Sequence, residues 1–296
     1  MGSPINEISE IHVKQFADSL SHEFAQTDSV LAPYCIQQSI NSEKFSYDVI
    51  GQLGINEKSS IFSDNNLERA GYERRWGNSQ TLIKAIGIDA DEDILKTKIS
   101  PQSDIITEIV SGANRLKDEK IIEAALGDVQ GGKEGLASDT PRLIRGSSLH
   151  TIAHGGTSIT LAKLIAIRER FAQQEIPEST KKIVVLSAKQ ESALFGISQY
   201  NSFDFNHTKP LATGVISEFM GLTLVRSEKL TKTGSNRNCI AFAAGSLMLA
   251  TGRSRKTDIS VRKDKQGFPL QIYFEENYGA LRISEQGVIK VECTES

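Results

Sequence analysis

The 296-residue chain is short of several things, and each shortage closes off a class of protein. It has only three cysteines, Cys35, Cys239 and Cys293, an odd number at wide spacing with no Cys-x-x-Cys. A disulfide framework is therefore not expected, and the thiols read as reduced, as in a cytosolic setting. It has almost no net charge, with 34 basic against 37 acidic residues, so no strong field points to a nucleic acid or a membrane surface. Long apolar runs are missing too. The longest, Cys239 to Ala250, contains Gly245 and Ser246 and is too short to span a bilayer. The start does not read as a signal peptide, and Met1-Gly2-Ser3-Pro4-Ile5-Asn6 lacks the Ser or Thr that myristoylation wants at the sixth position. What is left is a chain long enough for one large or two ordinary domains with a real core.

Its most pronounced pattern runs from Ser100 to Asp128. Ile105, Ile106, Ile109, Val110, Ala113, Leu116 and Ile121 fall on one side of a 3.6-residue period, and Glu108, Ser111, Arg115, Asp118 and Glu119 on the other. Ser100 suits an N-cap, Pro101 the first turn, Asp104 the positive end of the dipole and Gly127 the stop. Such a helix spans roughly 40 Å, about twice the usual length.

Around it the chain mixes helix and strand without regular βαβ alternation, which predicts an α+β fold. Ser9 to Phe24 carries a short helical pattern with an apolar side that needs another surface. Val30 to Leu53 reads as extended, and Asn56 to Trp76 is polar and poor in branched apolar residues, so it projects. With the extended piece Thr81 to Ile88, residues Lys44 to Ile88 look like a two-stranded excursion, which is marginal alone and needs support from outside the chain's own core. Thr157 to Gln174 is a predicted helix with Leu161, Leu164, Ile165, Ile167 and Phe171 as its apolar set. Lys181 to Ser187 is a buried strand with a short helix after it, and Val215 to Val225 is a strand, a glycine bend and a strand. Asn238 to Gly252 fits strand or helix equally. The tail reads as closing strands with turns near Glu276–Gly279 and Glu285–Gly287.

Motifs that would carry chemistry fall short one by one. Gly127, Gly132 and Lys133 have P-loop spacing, but Glu134 stands where a magnesium-binding Ser or Thr belongs, and a helix rather than a strand precedes the turn. His150 and His154 are four apart, like helical zinc ligands, but lack the catalytic Glu and are followed by two glycines; His12, His22 and His207 show no ligand spacing. No G-x-S-x-G occurs. Asp89, Asp91 and Asp93 alternate like a calcium loop without its glycine or closing glutamate. Arg253 to Lys265 is a basic run with no interleaved aromatic residue, which fits a solvated edge or a subunit contact better than a nucleic-acid groove. No catalytic, cofactor-binding or metal-binding residue is assigned, and no cofactor is expected.

The order of the segments says more. The N-terminal "VKQFADSLSHEFAQTDSVLAPYC", then "DVIGQL" and "ERRW" around the polar excursion, then "ISPQSDIITEIVSGANRLKDEKIIEAALG" with Ala113, Asp118, Ile121, Ile122, Ala124 and Gly127 in the pattern A-x-x-x-x-D-x-x-I-I-x-A-x-x-G, stand in that order. "KIVVLSAKQESALFG", "GVISEFMGLTLVRSEKL" and "IYFEENYGALRISEQGVIKVEC" follow. In this order the chain resembles the major capsid proteins of tailed bacteriophages over nearly its whole length; Lys133 to Gly156 and the loop tip near Lys58 to Asn66 match nothing in that pattern.

The resemblance implies an N-terminal arm (1–40), an extended loop with flanking strands (41–98), a peripheral domain with a spine helix (99–151 and 251–296) and an axial domain (152–250). It implies a non-enzymatic subunit that self-assembles into hexamers and pentamers of an icosahedral shell around double-stranded DNA. That shell would be built in the host cytoplasm and located in the virion, with a portal and, where needed, scaffolding or decoration proteins as partners, weak non-specific contact to DNA, and no membrane. Arg74, Arg75 and Trp76 are the expected inter-subunit contacts, because Trp and Arg are enriched in interfaces; the alternative is a Trp that caps a local turn. No covalent crosslink is expected. The alternatives are a cellular shell of the same fold enclosing cargo, and an enzyme with a nucleotide site in the Gly-rich turn.

Overall fold

The computed structural model describes residues 26–51, 53–55, 69–88, 102–136, 138, 143–196, 218–252 and 256–295. The arm helix expected before residue 25, the loop tip, the acidic turn at Asp89–Asp93, the caps Ser100 and Pro101, and His207 lie outside those residues. In chain order a 3-10 turn (Ala32–Tyr34) leads to β1 (Ile36–Ser39), β2 (Lys44–Ile50), β3 (Tyr72–Asn78), β4 (Gln80–Ile88), α1 (Gln102–Leu126), β5 (Val129–Gly131), β6 (Leu143–Ile144) and β7 (His150–Ile152). There follow α2 (Leu161–Gln173), β8 (Lys182–Leu186), α3 (Ala188–Phe195), β9 (Glu218–Phe219), β10 (Leu222–Arg226), β11 (Lys232–Thr233), β12 (Asn236–Ala243), β13 (Leu247–Thr251), β14 (Lys256–Val261), β15 (Leu270–Arg282) and β16 (Val288–Thr294). The fold is α+β, as expected.

The chain divides into two compact units, with boundaries after Asp28, inside β4 after Gln80, inside α1 after Arg115, after Arg253 and inside β15 after Glu276. The smaller takes Thr81–Arg115, Ser254–Glu276 and the described residues up to Asp28. There β14 lies antiparallel to the first half of β15. Gln26 and Thr27 are held on α1, where Arg115 Nη1 donates to the Gln26 carbonyl at 3.0 Å and Asn114 Nδ2 to the Thr27 carbonyl at 2.9 Å.

The larger unit is built on a sheet ordered β7-β16-β12-β8-β10-β9, with β11 beside β12. β8, buried at all five positions, pairs parallel with β10 and antiparallel with β12. Leu164, Ile167 and Phe171 of α2 join its buried core with Ile183, Val185, Cys239, Phe242 and Val291. All three cysteines are buried free thiols, and burial, with the Asp118 charge, pushes Cys35 up to about 12. The ambiguous segment Asn238–Gly252 is two strands, β12 and β13, broken at Gly245, whose φ of 91° favours glycine.

Three expectations need correction. The turn near Glu276–Gly279 does not form, because β15 runs unbroken from Leu270 to Arg282, with Tyr278 buried and Ala280, Gly279 and Tyr278 in register with β13. Gly279 is there for close approach: a Cβ on it would lie 2.7 Å from Cε1 of Phe45, and one on Gly77 would lie 2.6 Å from Cε2 of the same ring. The turn at Glu285–Gly287 is present between β15 and β16. In α2, Ile165 is exposed and Lys163 is buried. Its ammonium Nζ lies 2.9–3.0 Å from the carbonyl oxygens of His154, Thr157, Ser158 and Glu292, which share its three N–H donors, so a cation occupies a position that apolar periodicity cannot mark.

In α1, Leu116 is exposed and Asp118 is fully buried. The carboxylate accepts from Ser29 Oγ at 2.5 Å and from the backbone N–H groups of Val30 and Leu31, both at 3.1 Å. Asp118 thus fixes where the chain enters the larger unit, while Ile121, Ile122 and Ala125 of the next turn enter its core. Hydrogen bonds to a charged acceptor contribute about 1.5–3 kcal/mol each, less than additively. Asp118→Ala is accordingly expected to cost about 3–4 kcal/mol and to speed hydrogen exchange at the Val30 and Leu31 amides, which mass spectrometry of the 29–35 segment would read.

Glu295, beyond β16, has a nearly buried side chain that accepts from Arg237 Nε at 3.0 Å and Ser187 Oγ at 2.6 Å and pairs with Lys232 at 2.7 Å. Burial pushes its carboxyl up, but hydrogen bonds from Arg237, Lys232 and Ser187 outweigh that and hold it at about 2. A carboxylate held below its unfolded value stabilises the fold above that value, ~4.3, and the contribution disappears as pH falls towards the folded value. The expected share is about 3 kcal/mol, lost between about pH 4.5 and 2. Glu295→Gln should flatten the stability–pH curve in that window; an unchanged acid limb in denaturant titrations would refute the assignment.

Candidate subunit-contact surfaces

β2 and β3 form an antiparallel hairpin in register from Lys44↔Asn78 to Ile50↔Tyr72. Because strand side chains alternate, the hairpin has two faces. Phe45, Tyr47 and Val49 share the inner face with Gly77, Arg75 and Glu73. Phe45 is buried with Ile40, Val129, Met248, Leu281 and Ile283, and Tyr47 and Val49 pack against that cluster.

Arg75 anchors the hairpin. Its Nη1 and Nη2 donate to Glu285 Oε1 and Oε2 at 2.5 and 2.6 Å, and Glu73 is 3.3 Å from Nη2. Glu285 also accepts from Arg282 Nε at 3.3 Å. Fully buried Arg282 donates onward to the carbonyls of Ala125 at 3.0 Å, Gly127 at 2.6 Å and Ile144 at 3.3 Å. One carboxylate between two guanidinium groups therefore ties the hairpin root to the C-terminal end of α1. Burial pushes Glu285 up, but the hydrogen bonds and charge of Arg75, with the charge of Arg282, hold it below the usual carboxylate range. Burial draws Arg282 down against the opposing pull of Glu285.

The outer face carries Asp48, Ile50, Tyr72, Arg74 and Trp76. Arg74 Nε and Nη2 donate to Asp48 at 2.6 and 2.8 Å, which lowers Asp48 and raises Arg74. The Arg74 guanidinium stands 5.8 Å from the Trp76 ring centroid, and Trp76 Nε1 donates to the Gly132 carbonyl at 2.9 Å. Ile50 and Tyr72 are paired across the hairpin and exposed. A crevice of about 380 Å³ is lined by Trp76, Gln80, Gln130, Leu143 and Tyr278 among others. Of the three residues expected at contacts, Arg74 and Trp76 share this outer face, and Arg75 points the other way. Ile50 and Tyr72 were missed by the sequence reading. Ile50 sits in the segment read as extended, Val30 to Leu53, and Tyr72 inside the polar segment Asn56 to Trp76, so neither was marked by its neighbours.

The rejected motifs have structural places. Val129, Gln130 and Gly131, inside the P-loop lookalike, are β5, paired with β3 and β6, and Lys133 and Glu134 are exposed beyond it. His150 lies in β7, and His154 lies in the loop after it, where its Nδ1 accepts from the Gly156 N–H at 3.0 Å. Among the described residues no three His, Cys, Asp or Glu side chains gather as a metal site, and no helix is long and apolar enough to cross a membrane.

A long helix, mixed sheets and a hairpin with an exposed outer face are the features to be set beside known proteins. The chain belongs to the phage capsid protein family, whose model matches residues 8–295. Its fold is that of phage capsids. The capsid of the cyanophage P-SCSP1u aligns at 13% identity and TM-score 0.70, over 98% of this chain and 95% of that one. The cyanophage Pam1 capsid aligns at 13% and 0.70 over 95% and 96%, and the capsid of a native GTA particle at 12% and 0.68 over 100% of both chains. No curated protein sequence matches the chain. It is a structural capsid protein.

Proposed function

We propose that this chain is the major subunit of an icosahedral tailed-phage head, forming hexamers and pentamers through its axial portion, 152–250, and lacing them together through the arm and the β2–β3 hairpin. The observation that carries this reading is the family match over residues 8–295. The outer hairpin face supports it: Tyr72, Arg74 and Trp76 are residue types that anchor interfaces, and with exposed Ile50 they share one face of the hairpin. The shell encloses double-stranded DNA through weak, non-specific contact, in keeping with a nearly neutral chain. It is assembled in the host cytoplasm, and a portal protein, with scaffolding or decoration proteins where needed, completes the head.

The test is electron microscopy of the purified full chain with light scattering alongside. Closed shells, tubes, or hexameric and pentameric rings are the expected result. A monomer or small dimer indifferent to concentration, salt and crowding would overturn the reading. Nuclease-protected DNA in particles from infected cells is expected for a phage head, and enclosed protein without nucleic acid would mark a cargo shell instead.

A further inference from the structure

β14 carries an unfinished surface. All six of its residues are exposed, and on one side it pairs with β15 in the register Thr257↔Phe274, Ile259↔Ile272 and Val261↔Leu270. Among the described residues no strand pairs with its other side. Directly opposed residues share a face of the sheet, so Thr257, Ile259 and Val261 continue the apolar row of Leu270, Ile272 and Phe274. On β15 that row is covered, with Ile272 at 0% and Phe274 at 3% exposure. On β14 it is open, with Ile259 at 44% and Val261 at 51%. The apolar face thus runs one strand past its cover.

Edge strands ordinarily carry a device against pairing: a proline, a bulge, a charge pointing into the apolar face, or charged side chains along the edge. β14 has only the last of these, and only on one face. It contains no proline, its register with β15 is uninterrupted, and its charged residues, Lys256 and Asp258, lie on the opposite face.

We propose that the free edge of β14 pairs antiparallel with β14 of a second copy, in the register centred on Ile259. The register follows from symmetry. A two-fold axis through the edge keeps each face continuous only if the two opposed residue numbers sum to an even value. Centring on Asp258 sets two carboxylates against each other. Centring on Ser260 leaves only Ile259, Ser260 and Val261 of the strand opposed. Centring on Ile259 opposes five residues: Ile259 meets Ile259, Thr257 meets Val261 at both ends, and Asp258 meets Ser260. Lys256 then falls beside Arg262 of the second copy, whose guanidinium is already bidentate to Asp264 with both bonds at 2.7 Å, so that carboxylate is the charge Lys256 encounters. The contact is isologous, and it joins subunits in pairs, which is a different operation from closing a ring. It rests on the self-assembly proposed above for its occasion, and its test is separable from that reading.

The test is Ile259→Cys in the full chain, treated with copper phenanthroline. At the symmetry centre the Cα atoms would lie ~4.5–5.5 Å apart, within disulfide range. Cys35, Cys239 and Cys293 are buried, so the unsubstituted chain supplies a low background. The expected result is a reducible dimer at least tenfold above that background, with Ser260→Cys giving little. Particles in the microscope without the Ile259→Cys dimer overturn the contact and leave the assembly reading standing. The dimer without particles upholds the contact and counts against assembly. A dimer from Ser260→Cys and not from Ile259→Cys overturns the register.

Discussion

Replacing Lys163 by methionine is expected to destabilise the subunit by about 3–5 kcal/mol. The ammonium is buried, and its nitrogen sits within 3.0 Å of four carbonyl oxygens, those of His154, Thr157, Ser158 and Glu292. Cys293 Sγ lies 3.9 Å away. Methionine keeps the length of the stem and removes the charge, so the carbonyls lose a shared donor in a space too confined for easy hydration. Three of them belong to the loop that leads into α2 and the fourth to β16, so loop and strand should loosen together. Lys163→Arg should not restore stability, because a planar guanidinium cannot occupy the centre of a cage shaped for a compact ammonium. Urea denaturation of the unassembled chain measures both. A loss below about 1 kcal/mol for Lys163→Met would mean that the carbonyls find other donors.

Arg282→Met is expected to cost a similar ~3–5 kcal/mol, but with a different signature. Three carbonyls lose their donor, two of them at the end of α1 where the helix dipole favours a cation. Glu285 keeps Arg75. The hairpin root should therefore remain attached but less well fixed, with faster hydrogen exchange in β3 and at the end of α1. Glu285→Gln removes the paired carboxylate of Arg282 and leaves Arg75 with Glu73 alone, and adding it to Arg282→Met removes part of what each single change leaves unpaired. The double variant should be less destabilised than the sum of the two, by about 1–2 kcal/mol. Simple additivity in a denaturant series would show that the three groups do not act as a unit.

These two sites also mark where the sequence could be read and where it could not. The spine helix, the Lys181–Ser187 strand with its following helix, the glycine bend at Met220–Gly221 and the turn before β16 were legible, because each rests on local periodicity or a local turn residue. Asp118, Lys163 and Arg282 were not, because each is a charged residue placed inside by partners far away in sequence or on the backbone. Asp118 was assigned to the solvent side of α1, although it also stood in the pattern that carried the resemblance to capsid proteins. The structure gives that pattern a cause in the three donors from Ser29, Val30 and Leu31. Arg75 and its neighbours were grouped by adjacency, whereas a strand sends adjacent side chains to opposite faces. β15 was divided at Gly279 because glycine signals a bend more often than it signals an aromatic ring from another strand.

That ring sets a rule on how the chain can drift. Phe45 occupies the space where Gly77 and Gly279 would carry a Cβ, so three positions spread across most of the sequence share one volume. Neither glycine is free to change alone. In an alignment of relatives, a side chain at position 77 should travel with a smaller residue at position 45, whereas position 279 should stay glycine, because the Asn78 carbonyl oxygen also stands 2.5 Å from where its Cβ would lie.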